Sequence, residues 1–456
     1  MKINWVYDFY GLDTIPNSYN FNRIKNKLGN RDINPIHDEI KNLGGMGDLE
    51  TSDIENHLNG TKVATYSLED LNSDFLKPKD EMFIYPIKLN NLLIDAYLGK
   101  ISLFENISNR IKIKKDKKNL YFLIEYLWEG EFYPQYFYTL YFELTLHKIP
   151  KQNVIFVCNT KNINQLHETF LNKNNFKDKI HVFHGNACMN GKYQDYINNN
   201  STFVNNSFLE KITKRESKAL ILNRRLRAHR VCLLTLLAGS DLLSKTKSSF
   251  DLDLNLYKEW DDMMEHWMQT RNPFSNFKYI KKFRKGFKPL SDINKILLDY
   301  SDLDNVIGLG YETPSLYENT YFSLVTETLF FEQSEFVSEK TFKPISQLHP
   351  FIILGSPHSL KYLREYGFKT FNNFWDESYD EEVDDTVRFI KVWELLESLL
   401  NKSDDDWIEL LESMKDILIY NRNLFITLNK NLPKTITNNL KKIFENEPLQ
   451  ANQRLF

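Results

Sequence analysis

Apolar residues along this chain fall into short runs, and the segments between them repeat at helical spacing. Over Tyr317–Phe371 the runs are Tyr321–Thr326, Phe351–Leu354 and Phe368–Phe371, all rich in β-branched and aromatic residues. The spacers Glu339–Gln347 and Ser359–Glu365 carry the helical period. Strands alternating with helices predict βαβ units and a parallel sheet covered on both faces. Gly355 and Gly367 fall where a strand and a helix should stop. The first half alternates in the same way. Strands are expected over Lys2–Tyr10, Glu81–Ile87, Leu120–Tyr126, Val154–Val157 and Ile180–Phe183. Helices are expected over residues 89–104, Tyr136–His147 and Ile163–Leu171, the second of them an aromatic-rich amphipathic helix that belongs to the core.

This patterning predicts an α/β protein with two Rossmann-like domains, residues 1–212 and 213–456, joined through a polar stretch at 196–217. Residues 11–60 read as an elaborated polar loop, and Lys112–Lys118 (KIKKDKK) as a charge run that is either solvated or anion-binding. The second domain opens with a strand at Ala219–Leu222 and a helix through Leu237. A helical insert is expected at about 251–290, and helices at Val387–Leu400, Trp407–Leu428 and Ile436–Phe444 close the chain.

Composition narrows the class. With 456 residues, 42% apolar and 14% aromatic, the chain can bury a substantial core. A net charge of −3 gives no whole-molecule attraction to nucleic acid or anionic membrane. Cys158, Cys188 and Cys232 have no metal-like spacing, and Cys158 and Cys232 lie in apolar runs as buried, reduced thiols. The start, MKINWVYDFYGLD, has no basic region followed by an apolar one, and no run of about 18 apolar residues occurs. A cytoplasmic enzyme is expected.

Several stretches carry candidate chemistry. Ser338 stands at an N-cap position, with Glu339 and Lys340 in the first turn and Lys343 one turn on. The dipole favours the acid there and disfavours the lysine, which either points into solvent or shares the charge of an anionic ligand with free backbone N–H groups. Glu339 could accept hydrogen bonds from a sugar hydroxyl. Asn223–Arg230 packs Arg224, Arg225, Arg227, Arg230 and His229 between a strand and a helix, either as a surface basic loop or as a phosphate site. Thr326 and Glu327 end a strand at the edge where open α/β sheets bind ligands, or simply cap it. Trp128-Glu129-Gly130-Glu131 follows a buried strand directly, either as a hairpin-like exposed turn or as a carboxylate site in which Glu129, and after it Glu131, are the candidates for a general base. Phe277–Lys288 (FKYIKKFRKGFK) interleaves aromatic and basic residues, as an amphipathic surface helix or as a track for a polyanion. His147, His167, His181 and His184 show no metal-ligand spacing, and Asp251/Asp253 form an isolated pair.

The segment SEKTFKPI, with TET upstream and HPFIILG downstream, resembles the donor half of GT-B glycosyltransferases. It is most similar to uncharacterised phage and marine bacterial enzymes related to the α1,3-fucosyltransferases, well over residues 218–380 and weakly over 121–156. The resemblance implies two Rossmann-like domains facing a central cleft, with C-terminal helices that brace the first domain. It implies that Glu339 holds a nucleotide ribose and Lys340 a diphosphate. In an S/T-N-x-x-x-x-R-like turn it implies that Asn223 opens the donor domain and that Arg230, or next Arg227, meets the diphosphate. Where fucosyltransferases have Phe-Glu-Asn-Ser this chain has SLVTET, so a guanosine donor and fucose are not implied. The expected activity is transfer of a sugar from a nucleotide-sugar donor to a hydroxyl of a glycan, a protein or modified DNA. Inversion is expected, with no required metal or cofactor. The alternative is a nucleotide- or nucleic-acid-binding protein, or a structural one, that transfers nothing.

Overall fold

Two parallel sheets carry the fold. In the computed structural model the described residues are 2–7, 64–67, 81–88, 93, 96–104, 119–126, 132–186, 188–189, 204–223, 227–251, 279–293, 295–296, 298, 314–331 and 335–445. The expected loop at 11–60, the run Lys112–Lys118, the turn with Glu129 and Glu131, Arg224 and Arg225, and most of the 251–290 insert lie outside them. The chain divides into two compact units, residues 1–190 with 429–456, and residues 191–428.

The first unit holds six parallel strands, β1 (Lys2–Tyr7), β2 (Ala64–Ser67), β3 (Glu81–Lys88), β4 (Leu120–Tyr126), β5 (Val154–Cys158) and β6 (His181–His184), in the order β2-β1-β3-β4-β5-β6. Every residue of β5 (VIFVC) is buried, as expected of a central parallel strand covered on both faces. Helices α1 (Gln135–Leu146) and α2 (Ile163–Asn174) pack an aromatic cluster onto the sheet, with the Phe132 and Phe137 ring centroids 4.8 Å apart. Only one side of α1 is core: Tyr136, Phe137, Leu140, Tyr141 and Leu144 are buried, whereas Tyr138, Phe142 and Leu146 are exposed. The expected amphipathic core helix thus buries five of its eight apolar residues and leaves three exposed.

In the second unit β7 (Ser217–Asn223), β8 (Thr246–Asp251), β9 (Lys295–Ile296), β10 (Thr320–Thr326) and β11 (Phe351–Leu354) form a sheet in the order β11-β10-β7-β8-β9, parallel except at β9. Its helices are α3 (Ala228–Gly239), α4 (Ile280–Ile293), α5 (Pro314–Glu318), α6 (Glu339–Ser346), α7 (Ser359–Glu365) and α8 (Asp385–Leu400). A ninth helix, α9 (Asp404–Phe444), runs from this unit into the first. Trp407 of α9 stacks on Tyr321 and Phe322 of β10.

Two sequence expectations change, and one pair of readings is decided. Phe368–Phe371 is not a strand: side chains take its backbone groups, Asn421 bonding both the N–H and the carbonyl of Lys369, and Glu377 accepting from the Phe371 N–H at 2.7 Å. The two helices expected at 407–428 and 436–444 are one continuous helix. Over the described part of Phe277–Lys288 the amphipathic surface helix is the reading that holds. Tyr279, just before α4, and Phe283, Gly286 and Leu290 within it turn inward while Lys281, Arg284, Lys285 and Lys288 face out, so Tyr279 and Phe283 are not available to stack on bases.

The crossing of α3 and α4 is built on glycine. A Cβ on Gly286 would lie 1.8 Å from the Thr235 carbonyl oxygen, and one on Gly239 would lie 1.8 Å from that of Lys282. Both obstacles are backbone, so neither helix can yield locally. Gly286→Ala is expected to destabilise the second unit by about 1–3 kcal/mol, the usual cost of overpacking. A urea midpoint equal to that of the unmodified chain would show that the helices can separate freely.

Candidate functional site

From β7 the chain runs outward to β8 and β9, then returns to lay β10 and β11 on the other side of β7. The carboxyl ends of β7 and β10 therefore flank the point where strand order reverses, the place where open α/β sheets form a ligand crevice. Asn223 is the last residue of β7 and Thr326 the last of β10. The Thr326 hydroxyl donates to Asn223 Oδ1 in a short hydrogen bond. This fixes the amide, whose Nδ2 is buried with no hydrogen-bond partner among the described residues.

Helix α3 begins at this edge. Arg227 is its N-cap, extended at φ −145°, and no side chain caps the helix start. Two side chains of the first turn reach to the end of β10. Arg230 donates through Nη2 to the carbonyls of Thr326 (2.9 Å) and Glu327 (3.1 Å), and His229 Nε2 lies 2.9 Å from the Glu327 carbonyl. The His229 ring stacks on Phe330 with centroids 5.1 Å apart. Burial, with the charge of Arg230 beside it, holds its pKa well below the usual histidine value, so the ring is neutral. A neutral ring donating from Nε2 keeps Nδ1 as an acceptor. Of the two candidate arginines, Arg230 is 3% exposed and braces the strand end, whereas Arg227 is half-buried at the helix start. Arg230, the first choice for an anion contact, spends its Nη2 on these two carbonyls, while Arg227, the second choice, stands at the uncapped start of α3.

Helix α6 meets the same strand end from the other side. The buried Glu327 carboxylate accepts through Oε1 from the Ser338 N–H (3.0 Å) and the Thr341 hydroxyl (2.5 Å), and through Oε2 from the Thr328 N–H (3.2 Å). Both oxygens are engaged within the protein, so Glu327 positions the helix. A Cβ on Gly355 would come within 3.0 Å of Glu327 Cβ, which explains the glycine beside it. The Ser338 hydroxyl caps α6, accepting from the Lys340 N–H at 3.3 Å. The Lys340 ammonium folds over the helix start, 2.8 Å from Glu339 Oε1, 3.2 Å from the Thr328 hydroxyl and 3.4 Å from that of Ser338. Burial raises the pKa of Glu339, but the charges of Lys340 and Lys343 and the Lys340 hydrogen bond outweigh it, leaving the carboxyl below its ordinary value. Lys343 is half-buried one turn on. The pair thus offers a fixed cation at a helix N-terminus and, beside it, an ionised acceptor for hydroxyl groups.

The loops after β10 and β11 are tied together by Arg388 of α8. Its guanidinium donates to the carbonyls of Gly355 (3.0 Å), Glu382 (2.8 Å) and Phe330, pairs with Asp385 at 2.8 Å and lies over the Phe330 ring.

Asn223, Arg230, Thr326, Glu327, Ser338, Glu339 and Lys340 are thus joined by hydrogen bonds at one sheet edge. Arg227 stands at the start of α3, while Glu129 and Glu131 lie outside the described residues. Sequence reasoning missed Thr328, Thr341 and Arg388. For Arg388 a signal exists, since it continues the i, i+4, i+8 stripe of Val392 and Leu396 as a lone cation. Among the described residues, no group of three or more His, Cys, Asp or Glu side chains could hold a metal ion, and no helix is long and apolar enough to cross a membrane. All three cysteines are buried and none is in a disulfide; burial pushes the Cys158 thiol up to about 12.

No protein-family model and no curated protein matches the chain. Among solved structures it is similar to an α,α-trehalose 6-phosphate synthase from Burkholderia multivorans, with a TM-score of 0.36 and 8% identity over 82% of this chain and 74% of that one. It is also similar to a mutant of S. aureus TarM in complex with fondaparinux, α-GlcNAc-glycerol and UDP, with a TM-score of 0.31 and 11% identity over 83% of this chain and 58% of that one. Likeness this distant leaves function to be read from the chain's own residues.

Proposed function

We propose that this protein is a glycosyltransferase of GT-B architecture that moves a sugar from a nucleotide-sugar donor to an acceptor hydroxyl. Its two units would face a cleft, with the donor held by the second. One observation supports this above all: two helix N-termini meet at Glu327. Its backbone carbonyl accepts from His229 and Arg230 of α3, and its carboxylate accepts from the Ser338 N–H and the Thr341 hydroxyl at the start of α6. The residues around that point are what a nucleoside diphosphate requires. Lys340 and Arg227 supply positive charge, Asn223 a buried N–H donor and Glu339 an acceptor for ribose hydroxyls.

In the reaction, the acceptor oxygen bonds to the anomeric carbon as the bond from that carbon to the diphosphate oxygen breaks. The electron pair leaves with the nucleoside diphosphate, and the acceptor proton passes to a base. We assign Glu129 as that base, with Glu131 next, and inversion as the outcome. Lys340, Arg227 and the two helix N-termini neutralise the departing diphosphate, so turnover needs no divalent cation.

A thermal-shift screen against UDP-, GDP-, CMP- and dTDP-sugars tests this reading. A donor at about 100 times its Kd stabilises the native state by about 2.7 kcal/mol. The stabilising donor should also release nucleoside diphosphate slowly without acceptor, and equally fast in EDTA. A shift without release identifies a nucleotide-binding protein that transfers nothing. No shift with any donor removes the proposal.

A further inference from the structure

The exposed side of α1 lies in the first unit, and none of its residues is among the candidate site residues. Tyr138, Phe142 and Leu146 follow one another at i, i+4 and i+8 and are 45%, 65% and 55% exposed. Leu98 and Ile101 extend the patch on one flank, since Ser102 and Leu103 of the same segment bond Glu143 of α1. Phe176 extends it on the other, stacked on Phe170, whose ring also meets Tyr138 edge-on. Single exposed apolar side chains are ordinary, but a contiguous aromatic and aliphatic face is not.

Charge is missing where a solvated helix would carry it. Glu143 is the only charged residue of α1, and it is buried, accepting from the Ser102 hydroxyl at 2.7 Å and the Leu103 N–H at 2.9 Å. The outward positions that accompany the stripe are Gln135, Thr139 and Thr145, and the cation seen against them is Lys151 from beyond the helix, whose ammonium donates to the Thr145 hydroxyl at 3.3 Å. A helix that lies on a lipid surface carries Lys and Arg along its polar side, and α1 has neither. The face therefore suits a protein, and its layout suits a copy of itself. Tyr138 stands four residues before Phe142 and Leu146 four after. A two-fold axis through Phe142 brings two antiparallel α1 helices together, with each Tyr138 against the other's Leu146. Six apolar side chains, about half exposed and ~200 Å² each when bare, offer roughly 600 Å². The neutral side chains between them bring the face to the ~800 Å² that each partner contributes to a stable complex.

We infer that two copies of this chain dimerise through the outer face of α1, with Phe142 at the two-fold axis. Sedimentation of the full chain at ~10 µM, within reach of an interface of ordinary affinity, should return twice the 54.2 kDa chain mass. Phe142→Lys should return a single chain with unchanged thermal unfolding of the monomeric fold, because its side chain is largely exposed, and Tyr138→Lys should also return a single chain, at the cost of its edge contact with Phe170. Phe142→Cys should cross-link two chains under mild oxidation, since the axis sets residue 142 against itself and the native thiols are buried. A monomeric unmodified chain overturns the proposal, as does a dimer that survives both lysine substitutions or fails to cross-link at Phe142→Cys. A monomer that pellets with phosphatidylcholine vesicles overturns it in favour of a lipid contact.

Discussion

Lys340→Ala is expected to slow glycosyl transfer by about 10²–10³-fold, the loss found when one preorganised donor to a developing negative charge is removed. Its ammonium is held at the start of α6 by Glu339 and by the hydroxyls of Thr328 and Ser338, so it is aimed before any ligand arrives. The fold should survive, because the side chain is partly exposed and its hydroxyl partners can turn to water. Glu339→Ala should act differently. It removes a hydrogen-bond acceptor, not a charge on the leaving group, and should weaken nucleotide binding more than turnover. Steady-state kinetics on the two variants separate these effects as a fall in kcat against a rise in KM. Unimpaired transfer by Lys340→Ala would remove the lysine from the site.

Arg388→Ala should destabilise the second unit by about 3–5 kcal/mol, the range for breaking a buried charged network by deleting one partner. Arg388 is 1% exposed and serves four carbonyls and a carboxylate, drawn from three separate segments of chain. Truncation leaves those acceptors without their donor and bares the Phe330 ring, on whose other contacts His229 depends. Arg388→Lys should rescue little, since one ammonium cannot replace a planar fork of donors. The measurement is urea unfolding followed by tryptophan fluorescence. A variant within about 0.5 kcal/mol of the parent would place Arg388 among ordinary surface residues.

The strands were legible wherever burial is written in apolar residues, as in TYFSLVT of β10 and VIFVC of β5. It failed for β8 (TKSSFD), whose buried Ser248 and Ser249 look like loop residues; Ser248 pairs with the Thr246 hydroxyl at 2.7 Å. The continuity of α9 was hidden for the same reason, because Asn421, Arg422, Asn429 and Asn439 occupy its buried side. At the site, the acid–lysine pair could be read because Ser338 marks the helix start in sequence. That Arg230 braces the end of β10 could not, since the carbonyls it reaches lie about a hundred residues away. Nor could the part played by Glu327, whose partners are set by the return of the chain to the strand end.

Helix α9 sets a schedule for synthesis. The first unit includes residues 429–456, and Leu440 and Ile443 of α9 are buried. A ribosome that has finished residue 190 must add roughly 250 more before those side chains exist, which takes about 10–50 s at 5–20 residues per second. Through that interval the nascent first unit waits with its docking surface open, and the second unit is completed before it. Vectorial folding is thus inverted in this chain: the part made first is the part sealed last, and its period of greatest exposure to chaperones and proteases falls during translation.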